Sequence, residues 1–217
     1  MKIRLPLLRC RRTGFTLIEV LVLIAIIAVI MALIPHPSRS GKARAQRISC
    51  LSNLKHVGLA NLLWVNDHGG QFVFSSTNTN NSLAWANSPQ VFRHYQAISN
   101  ELTTAKVLTC PADKKHTKAA SFTELSNTNL SFFVGLDARP DEPQSLLSGD
   151  RNITGGTLSN GFLRVLTPGA AVAWTKEIHQ GQGNIGLGDG SVQQVTTMRL
   201  RQQIAATSNA FIRLAVP

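Results

Sequence analysis

The chain has 217 residues, 43% of them hydrophobic, and a formal net charge of +11. Its length is enough for one hydrophobic core and excludes two. A basic chain can be a nucleic-acid-binding protein, but these cations form no dense run. Five cations precede Gly14 with no acid among them: Lys2, Arg4, Arg9, Arg11 and Arg12. We therefore expect no specific nucleic-acid binding.

The first predicted element is an apolar segment over residues 15–34, whose one ionisable side chain is Glu19. At ~1.5 Å rise per residue, twenty helical residues span about 30 Å, the thickness of a bilayer's hydrocarbon core. A carboxylate inside such a span costs roughly 2.5–3.5 kcal/mol on insertion scales. We therefore predict a transmembrane helix over 15–34, in which Glu19 needs a functional explanation.

The residues G-F-T-L-I-E-V-L-V, which begin at Gly14, resemble the prepilin-type signal of type IV pilins and type II secretion pseudopilins. The resemblance implies that a prepilin peptidase cleaves after Gly14 and methylates the new N-terminal Phe15. It also implies that Glu19 pairs with the methylated amine of a neighbouring subunit during assembly. Two alternatives fit less well: a plain uncleaved anchor, and a conventional signal peptide, whose apolar stretch has only about 7–15 residues.

The resemblance and the charge pattern together predict where the chain lies. Residues 1–14 form the basic leader peptide, which the positive-inside rule keeps in the cytoplasm. We therefore expect a single-pass protein of the bacterial inner membrane, with a cytoplasmic N-terminus and a periplasmic C-terminal domain. The implied partners are the prepilin peptidase, other pilin-like subunits and the inner membrane itself.

Residues 35–67 form the next predicted element. Pro35 and Pro37 should end or kink the first helix. Apolar residues then recur at three- and four-residue steps, which is typical of an amphipathic helix. We predict an amphipathic continuation of the N-terminal helix that ends before Gly69 and Gly70. Its apolar stripe should pack on a globular domain through Ile48, Leu51, Leu54, Gly58, Leu62 and Val65.

Residues 68–217 are predicted to form one globular α+β domain, because short apolar runs alternate with Asn, Ser, Thr and Gly. With the resemblance, this predicts a pilin-like fold: a long N-terminal helix, transmembrane in its first half and amphipathic in its second, packed on a small antiparallel β-sheet. The predicted strands are 71–74, 107–109, 130–134, 171–174, 185–187, 192–195 and 211–216, and the predicted helices are 89–98 and 198–206.

The cysteines divide by compartment. Cys10 lies in the leader, so cleavage leaves Cys50 and Cys110 in an oxidising space where disulfides persist. A bond between these two would close a loop of about 60 residues and contribute on the order of 4 kcal/mol to stability. We predict this disulfide; the alternative is two thiols that are buried separately.

Nine residues separate His179 from Asp189, and Gly190 follows. This spacing is similar to the H-X9-DG signature of a set of bacterial prepilin-type proteins, which implies no particular biochemical activity. Because an Asp-Gly pair between apolar residues suits a type I′ turn, we predict a β-hairpin with His179 hydrogen-bonded across it. Other segments similar to the same set of proteins are 43–54, 109–113, 131–135 and 149–154.

A metal site is a second interpretation of this region. Major pseudopilins of type II secretion bind calcium in a C-terminal loop, and the resemblance would make Asp189 and Asp150 the ligands here. Calcium prefers six to eight oxygens, however, and the region has few acids. The histidines lack zinc-ligand spacing, and no catalytic group of residues is visible, so we expect neither a resident cofactor nor an enzyme.

We therefore expect a structural subunit, pseudopilin or pilin-like, of a type II secretion or type IV pilus-like assembly. The alternative is a membrane-tethered extracytoplasmic binding protein that uses the pilin signal only for export. An exposed aromatic groove would support this alternative. The candidates for such a groove are Trp64, Trp85, Tyr95 and Trp174.

Overall fold

The computed structural model describes residues 14–33, 39–75, 85–207 and 209–217. The chain divides into two compact units, the first ending at Arg39 and the second beginning at Ser40. The predicted leader, apart from Gly14, lies outside the described residues, as do Pro35 and Pro37.

The first unit contains helix α1 (Leu17–Leu33), in which no residue is buried. Within the described ranges, the structure has no helix with the length and apolarity needed to cross a membrane. The transmembrane helix over 15–34 stays a prediction.

Helix α2 (Arg39–Asp67) runs for 29 residues and ends, as predicted, before two left-handed glycines, Gly69 and Gly70. The predicted apolar stripe is wrong at Ile48, whose side chain is 61% exposed. Each helical residue turns the chain by about 100°, which places Ile48 on the far side from the face that packs. That buried face includes Cys50, Leu54, Val57, Asn61 and Trp64.

The remaining elements build an α+β domain in the second unit. The helices are α3 (Phe92–Ala97) and α4 (Thr197–Ala206), with 3₁₀ turns at Ala105–Leu108 and Asn127–Asn129. The strands are β1 (Phe132–Gly135), β2 (Leu146–Asp150), β3 (Ile153–Thr154), β4 (Thr157–Ser159), β5 (Leu163–Leu166), β6 (Ala173–Trp174), β7 (Gly183–Leu187), β8 (Val192–Val195) and β9 (Ile212–Ala215). Seven strands form an antiparallel sheet in the order β4-β5-β9-β1-β2-β7-β8, and β3 pairs with β6 separately. The predicted α+β class is confirmed.

Individual elements agree only partly with the sequence. The predicted strands at 130–134, 171–174, 185–187, 192–195 and 211–216 correspond to β1, β6, β7, β8 and β9, and the helix at 198–206 corresponds to α4. The predicted strand at 107–109 is wrong, because Thr104 caps a 3₁₀ turn there by accepting a hydrogen bond from the Lys106 amide. The predicted strand at 71–74 is also wrong, since the Ser75 amide donates to the Phe72 carbonyl in a turn (3.0 Å).

The sheet is covered on both faces by two separate cores, so the prediction of a single core is wrong. Successive side chains of a strand point to opposite faces, so Phe132 and Val134 of β1 join one core and Phe133 joins the other. The first core includes Leu54 of α2, and the second includes Leu200 of α4. Helix α2 therefore packs on one face of the sheet and α4 on the other.

The hairpin of β7 and β8 confirms one prediction and corrects another. The Gly190 amide donates to the Leu187 carbonyl, and the Leu187 amide donates to the Ser191 carbonyl, both at 2.9 Å. Gly190 has a φ of 77°, whereas Gly188 and Asp189, at the centre of the turn, are not left-handed. The hairpin is confirmed, but its turn is of type I followed by a left-handed bulge glycine, and the type I′ assignment is wrong.

Candidate functional site

Two cysteines and a histidine from distant parts of the chain meet at the buried face of α2. The sulfur atoms of Cys50 and Cys110 and the Nε2 atom of His179 all lie within 4.8 Å of one another. All three residues are buried, and both cysteines are free thiols. The structure thus brings together the two sulfurs of the predicted disulfide, while the bond itself stays a prediction.

A carboxylate completes this cluster. The Cys50 thiol donates to Oδ1 of Asp150 (3.3 Å), and His179 Nε2 lies 3.5 Å from Oδ2 of Asp150 and 3.5 Å from the Cys110 sulfur. Asp150 is completely buried. Its Oδ2 atom accepts hydrogen bonds from the backbone amide (2.7 Å) and the side-chain amide (3.0 Å) of Asn184, which fix the carboxylate.

Helix α2 also holds the segment that carries Cys110. The side-chain amide of Asn53 donates to the Thr109 carbonyl (3.1 Å), and that of Gln46 donates to the Pro111 carbonyl (3.2 Å). Helix α2 therefore hydrogen-bonds to the residues on both sides of Cys110. The two donors, Gln46 and Asn53, lie about one helical turn before and after Cys50. This contact explains why the two sulfurs are close although 59 residues lie between them in the sequence.

His179 reaches the cluster from a strained turn. His179, Gln180 and Gly181 have φ angles of 54°, 58° and 84°, and a left-handed backbone costs about 1–2 kcal/mol at each non-glycine residue. Two side chains hold this turn: Arg47 donates to the His179 carbonyl (3.0 Å), and Asn152 donates to the carbonyl of the preceding residue (3.0 Å). Such strain persists where the surroundings determine the conformation, often at functional sites.

An ion-pair network borders the cluster. Arg151 donates through Nε and Nη2 to both carboxylate oxygens of Asp113 (2.7 and 2.8 Å) and also pairs with Glu177 (3.0 Å). The Ser131 hydroxyl donates to Asp113 (2.9 Å), and Lys115 pairs with Glu177 (2.5 Å). The network links the segments that supply Cys110, Asp150 and His179.

Electrostatics couple the four side chains. Burial raises the pKa of Asp150 to about 7, although the charge of His179 opposes this shift. Burial disfavours charge on His179, but its contacts with Cys110 and Asp150 prevail and raise its pKa. The adjacent Cys50 thiol lowers the pKa of Cys110, while burial raises the pKa of Cys50. Negative charge therefore accumulates at this site more readily on Cys110 than on Cys50.

The Asp-Gly part of the signature lies at the other end of β7. Asp189 is exposed and accepts a hydrogen bond from the Ser191 amide within the turn (2.8 Å). Gly190 packs directly on α2, because a Cβ atom on Gly58 would lie 3.2 Å from the Gly190 carbonyl oxygen. The turn is thus a contact point for the helix.

His179 does not hydrogen-bond across the hairpin, so that prediction is wrong. His179 precedes β7, and its ring contacts Cys110 and Asp150. Gly190 follows the opposite end of the same strand. The two parts of the signature meet α2 at Cys50 and Gly58, about 12 Å apart along the helix at ~1.5 Å per residue. The signature residues therefore fix α2 to the sheet at two points.

The two carboxylates of the predicted calcium site do not come together. Asp150 is bonded to Asn184 near the start of β7, and Asp189 follows Leu187 at its end. Asn184 and Leu187 are three strand residues apart, which is roughly 10 Å at ~3.3 Å per residue, and the turn that carries Asp189 follows. Asp150 belongs instead to the buried cluster, which the sequence did not predict because its histidine has no ligand spacing to the cysteines.

The N-terminal signal has a local structure of its own. Glu19 Oε2 accepts hydrogen bonds from the backbone amide and the hydroxyl of Thr16, both at 2.8 Å, and the Glu19 amide donates to the Thr16 hydroxyl (3.4 Å). This arrangement is a capping box at the start of α1, and the Thr-x-x-Glu spacing of Thr16 and Glu19 is its signal in the sequence. Gly14 and Phe15 precede the cap and are exposed.

The aromatic candidates do not form an exposed groove. Trp64, Tyr95 and Trp174 are buried, with at most 8% of any of them exposed. Trp85 is half-buried, and the guanidinium of Arg93 lies 5.6 Å from its ring centre. These four residues therefore do not provide the exposed aromatic groove that would have supported a tethered binding protein.

Comparison with known proteins bears on the N-terminal segment. Residues 9–35 match the family model of the prokaryotic N-terminal methylation motif. No curated protein and no solved structure matches the chain. The motif covers Gly14, Phe15 and Glu19, and it supports processing by a prepilin peptidase. The chain therefore carries a prepilin-type N-terminal methylation signal.

Proposed function

We propose that the chain is a structural subunit, pilin-like or pseudopilin, of a type II secretion or type IV pilus-like assembly. The observation that carries this proposal is the methylation motif at residues 9–35. Prepilin peptidase cleaves between Gly14 and Phe15 and methylates the Phe15 amine. The role is structural and not enzymatic.

The exposed surface of α1 supports this role. Between residues 15 and 33, the large apolar side chains are 44–83% exposed. An apolar surface of this extent is unfavourable in water, so it needs lipid or neighbouring subunits to cover it. We place it in the bacterial inner membrane as a single pass, with the C-terminal domain on the periplasmic side.

Glu19 supplies the contact between subunits. Its Oε2 atom serves the capping box with Thr16, whereas its Oε1 atom accepts no hydrogen bond from any described residue. The methylated Phe15 amine of a neighbouring subunit donates to this second oxygen. Two charges inside the membrane are thereby paired, which offsets the cost of burying each.

The proposal is tested by the N-terminus of the mature protein. The full chain is produced in a bacterial host with and without a prepilin peptidase, and the membrane-extracted protein is measured by intact and peptide mass spectrometry. We expect N-methyl-Phe15 only in the host with the peptidase. A chain that keeps Met1 in both hosts would contradict the proposal.

A further inference from the structure

We propose that Cys50, Cys110, His179 and Asp150 bind one divalent transition-metal ion, with zinc as the ion that the donor set favours. The site lies in the second compact unit and does not depend on the assembly role proposed for the N-terminal signal. Its function is to join α2 to three segments of the domain.

Three donor atoms, from Cys50, Cys110 and His179, lie within 4.8 Å of one another, and Asp150 reaches this set through Oδ1 toward Cys50 and through Oδ2 toward His179. With Zn–S bonds of about 2.3 Å and Zn–N or Zn–O bonds of about 2.0–2.2 Å, neighbouring ligand atoms lie roughly 3.3–3.8 Å apart. The observed separations are 3.3 Å for Cys50 Sγ to Asp150 Oδ1, and 3.5 Å for both Cys110 Sγ to His179 Nε2 and His179 Nε2 to Asp150 Oδ2. A tetrahedral ion would draw the three donors slightly closer together and turn the Asp150 carboxylate so that one of its oxygens becomes the fourth ligand.

Charge also favours a cation. Two thiolates and a carboxylate carry three negative charges, which burial would make very costly without compensation. A dication with a neutral imidazole reduces this total to one. The Arg47 guanidinium, which donates to the His179 carbonyl (3.0 Å), lies close enough to balance the remainder.

The surroundings of the cluster are those of a metal site. Both Asn184 donors orient Asp150 from outside the cluster, as groups behind metal ligands commonly do. The left-handed backbone at His179 directs Nε2 toward the two sulfurs, at a conformational cost that ligation would offset. Four ligands with no exposed side match a structural site, since a catalytic zinc keeps a position open.

The donor chemistry selects the class of ion. Two thiolates, an imidazole and one carboxylate in a tetrahedral S₂NO set suit zinc, whereas calcium and magnesium prefer all-oxygen ligands. A disulfide between Cys50 and Cys110 is the competing state of the same two sulfurs. It would remove both thiolates, so the metal-bound and the oxidised chain exclude each other.

The test measures metal and thiol state on the same sample. The full chain, carrying an affinity tag that binds no metal, is extracted in detergent from zinc-supplied cells without chelator. We expect about one zinc per chain by elemental mass spectrometry and two free thiols at Cys50 and Cys110. A chain without zinc whose intact mass shows a Cys50–Cys110 disulfide would overturn the proposal.

Variants and a spectroscopic probe sharpen the result. We expect Cys110→Ser to lower the zinc content at least about tenfold, and Asp150→Asn to weaken affinity at least about 10–100-fold, which is the loss already seen for groups behind the ligands. His56→Gln, an exposed histidine on α2, should change neither value. If Cys110→Ser does not fold, the proposal is tested on the reduced, metal-free wild-type chain. Added cobalt should then give a thiolate-to-cobalt charge-transfer absorption band. The absence of this band would overturn the proposal.

Discussion

Gly58 of α2 and Gly190 of the β7–β8 turn lie with their backbones in contact. A Cβ atom on Gly58 would stand 3.2 Å from the Gly190 carbonyl oxygen and 3.4 Å from its Cα atom. The helix can therefore approach the sheet this closely only because both residues lack a side chain. Together with the contact of Cys50 and Asp150, this approach sets the position of α2 across β7.

A larger residue at Gly58 should separate these two elements. We expect Gly58→Val to lower the free energy of unfolding by about 1–3 kcal/mol, because the branched side chain meets backbone atoms that cannot rotate away. Ser52→Val, on the exposed face of the same helix, should change it by less than about 0.5 kcal/mol. Urea denaturation of the full chain in detergent provides both values, and equal values would contradict the contact.

The Arg151–Asp113 pair should carry much of the stability around the cluster. The Asp113 side chain is fully buried and that of Arg151 is 9% exposed. Asp113→Asn leaves Glu177 as the remaining carboxylate partner of the Arg151 guanidinium, so we expect a loss of up to about 3–5 kcal/mol, the cost of breaking a buried pair. In the matched exposed pair of Arg139 and Asp141, Asp141→Asn should cost at most about 1 kcal/mol. Urea denaturation measures the free energy of unfolding of both variants. Equal losses would show that burial of the Arg151–Asp113 pair adds nothing to stability.

Processing should depend on the small size of Gly14. A Cβ atom there would meet no atom within 4 Å, so any loss reflects entry into the peptidase site and not a clash within the chain. We expect Gly14→Val to accumulate as precursor and Gly14→Ala to retain more cleavage, as measured by the fraction of N-methyl-Phe15 in a peptidase-positive host. Complete processing of the valine variant would rule out this account of the cleavage site.

The sequence predicted those elements whose signals are local. The strand at Val192–Val195 follows a clear turn, and α4 begins where the Thr196 hydroxyl accepts a hydrogen bond from the Arg199 amide. Strand β2 (Leu146–Asp150) was not predicted because its last three residues, Ser148, Gly149 and Asp150, are of types that are typical of turns. Only its two leucines resemble a strand, and two apolar residues are too few to indicate one.

The buried cluster could not be predicted because it has no local signal. Cys50 hydrogen-bonds to the Asp150 carboxylate and His179 lies 3.5 Å from it, yet Cys50 and His179 are 129 residues apart in the sequence. Only the order of β2 beside β7, with α2 packed across them, brings these side chains together. In contrast, the N-terminal signal is contiguous, which is why its residues could be named from the sequence alone.

The most direct test of the proposed role is in-membrane cross-linking with and without the Glu19 carboxylate. Each variant carries Leu23→Cys in α1 as the reporter, in a peptidase-positive host. We expect Glu19→Ala and the isosteric Glu19→Gln to insert into the membrane but to lower the yield of cross-linked oligomers at least about tenfold. A loss of about 1.4 kcal/mol in pairing already changes an association constant tenfold.

Two controls accompany this test. Ile26→Ala on the same helix should retain most of the oligomer yield, and the protease resistance of residues 40–217 should be unchanged in all variants. Equal oligomer yields with and without the carboxylate would contradict the account of the chain as an assembling subunit.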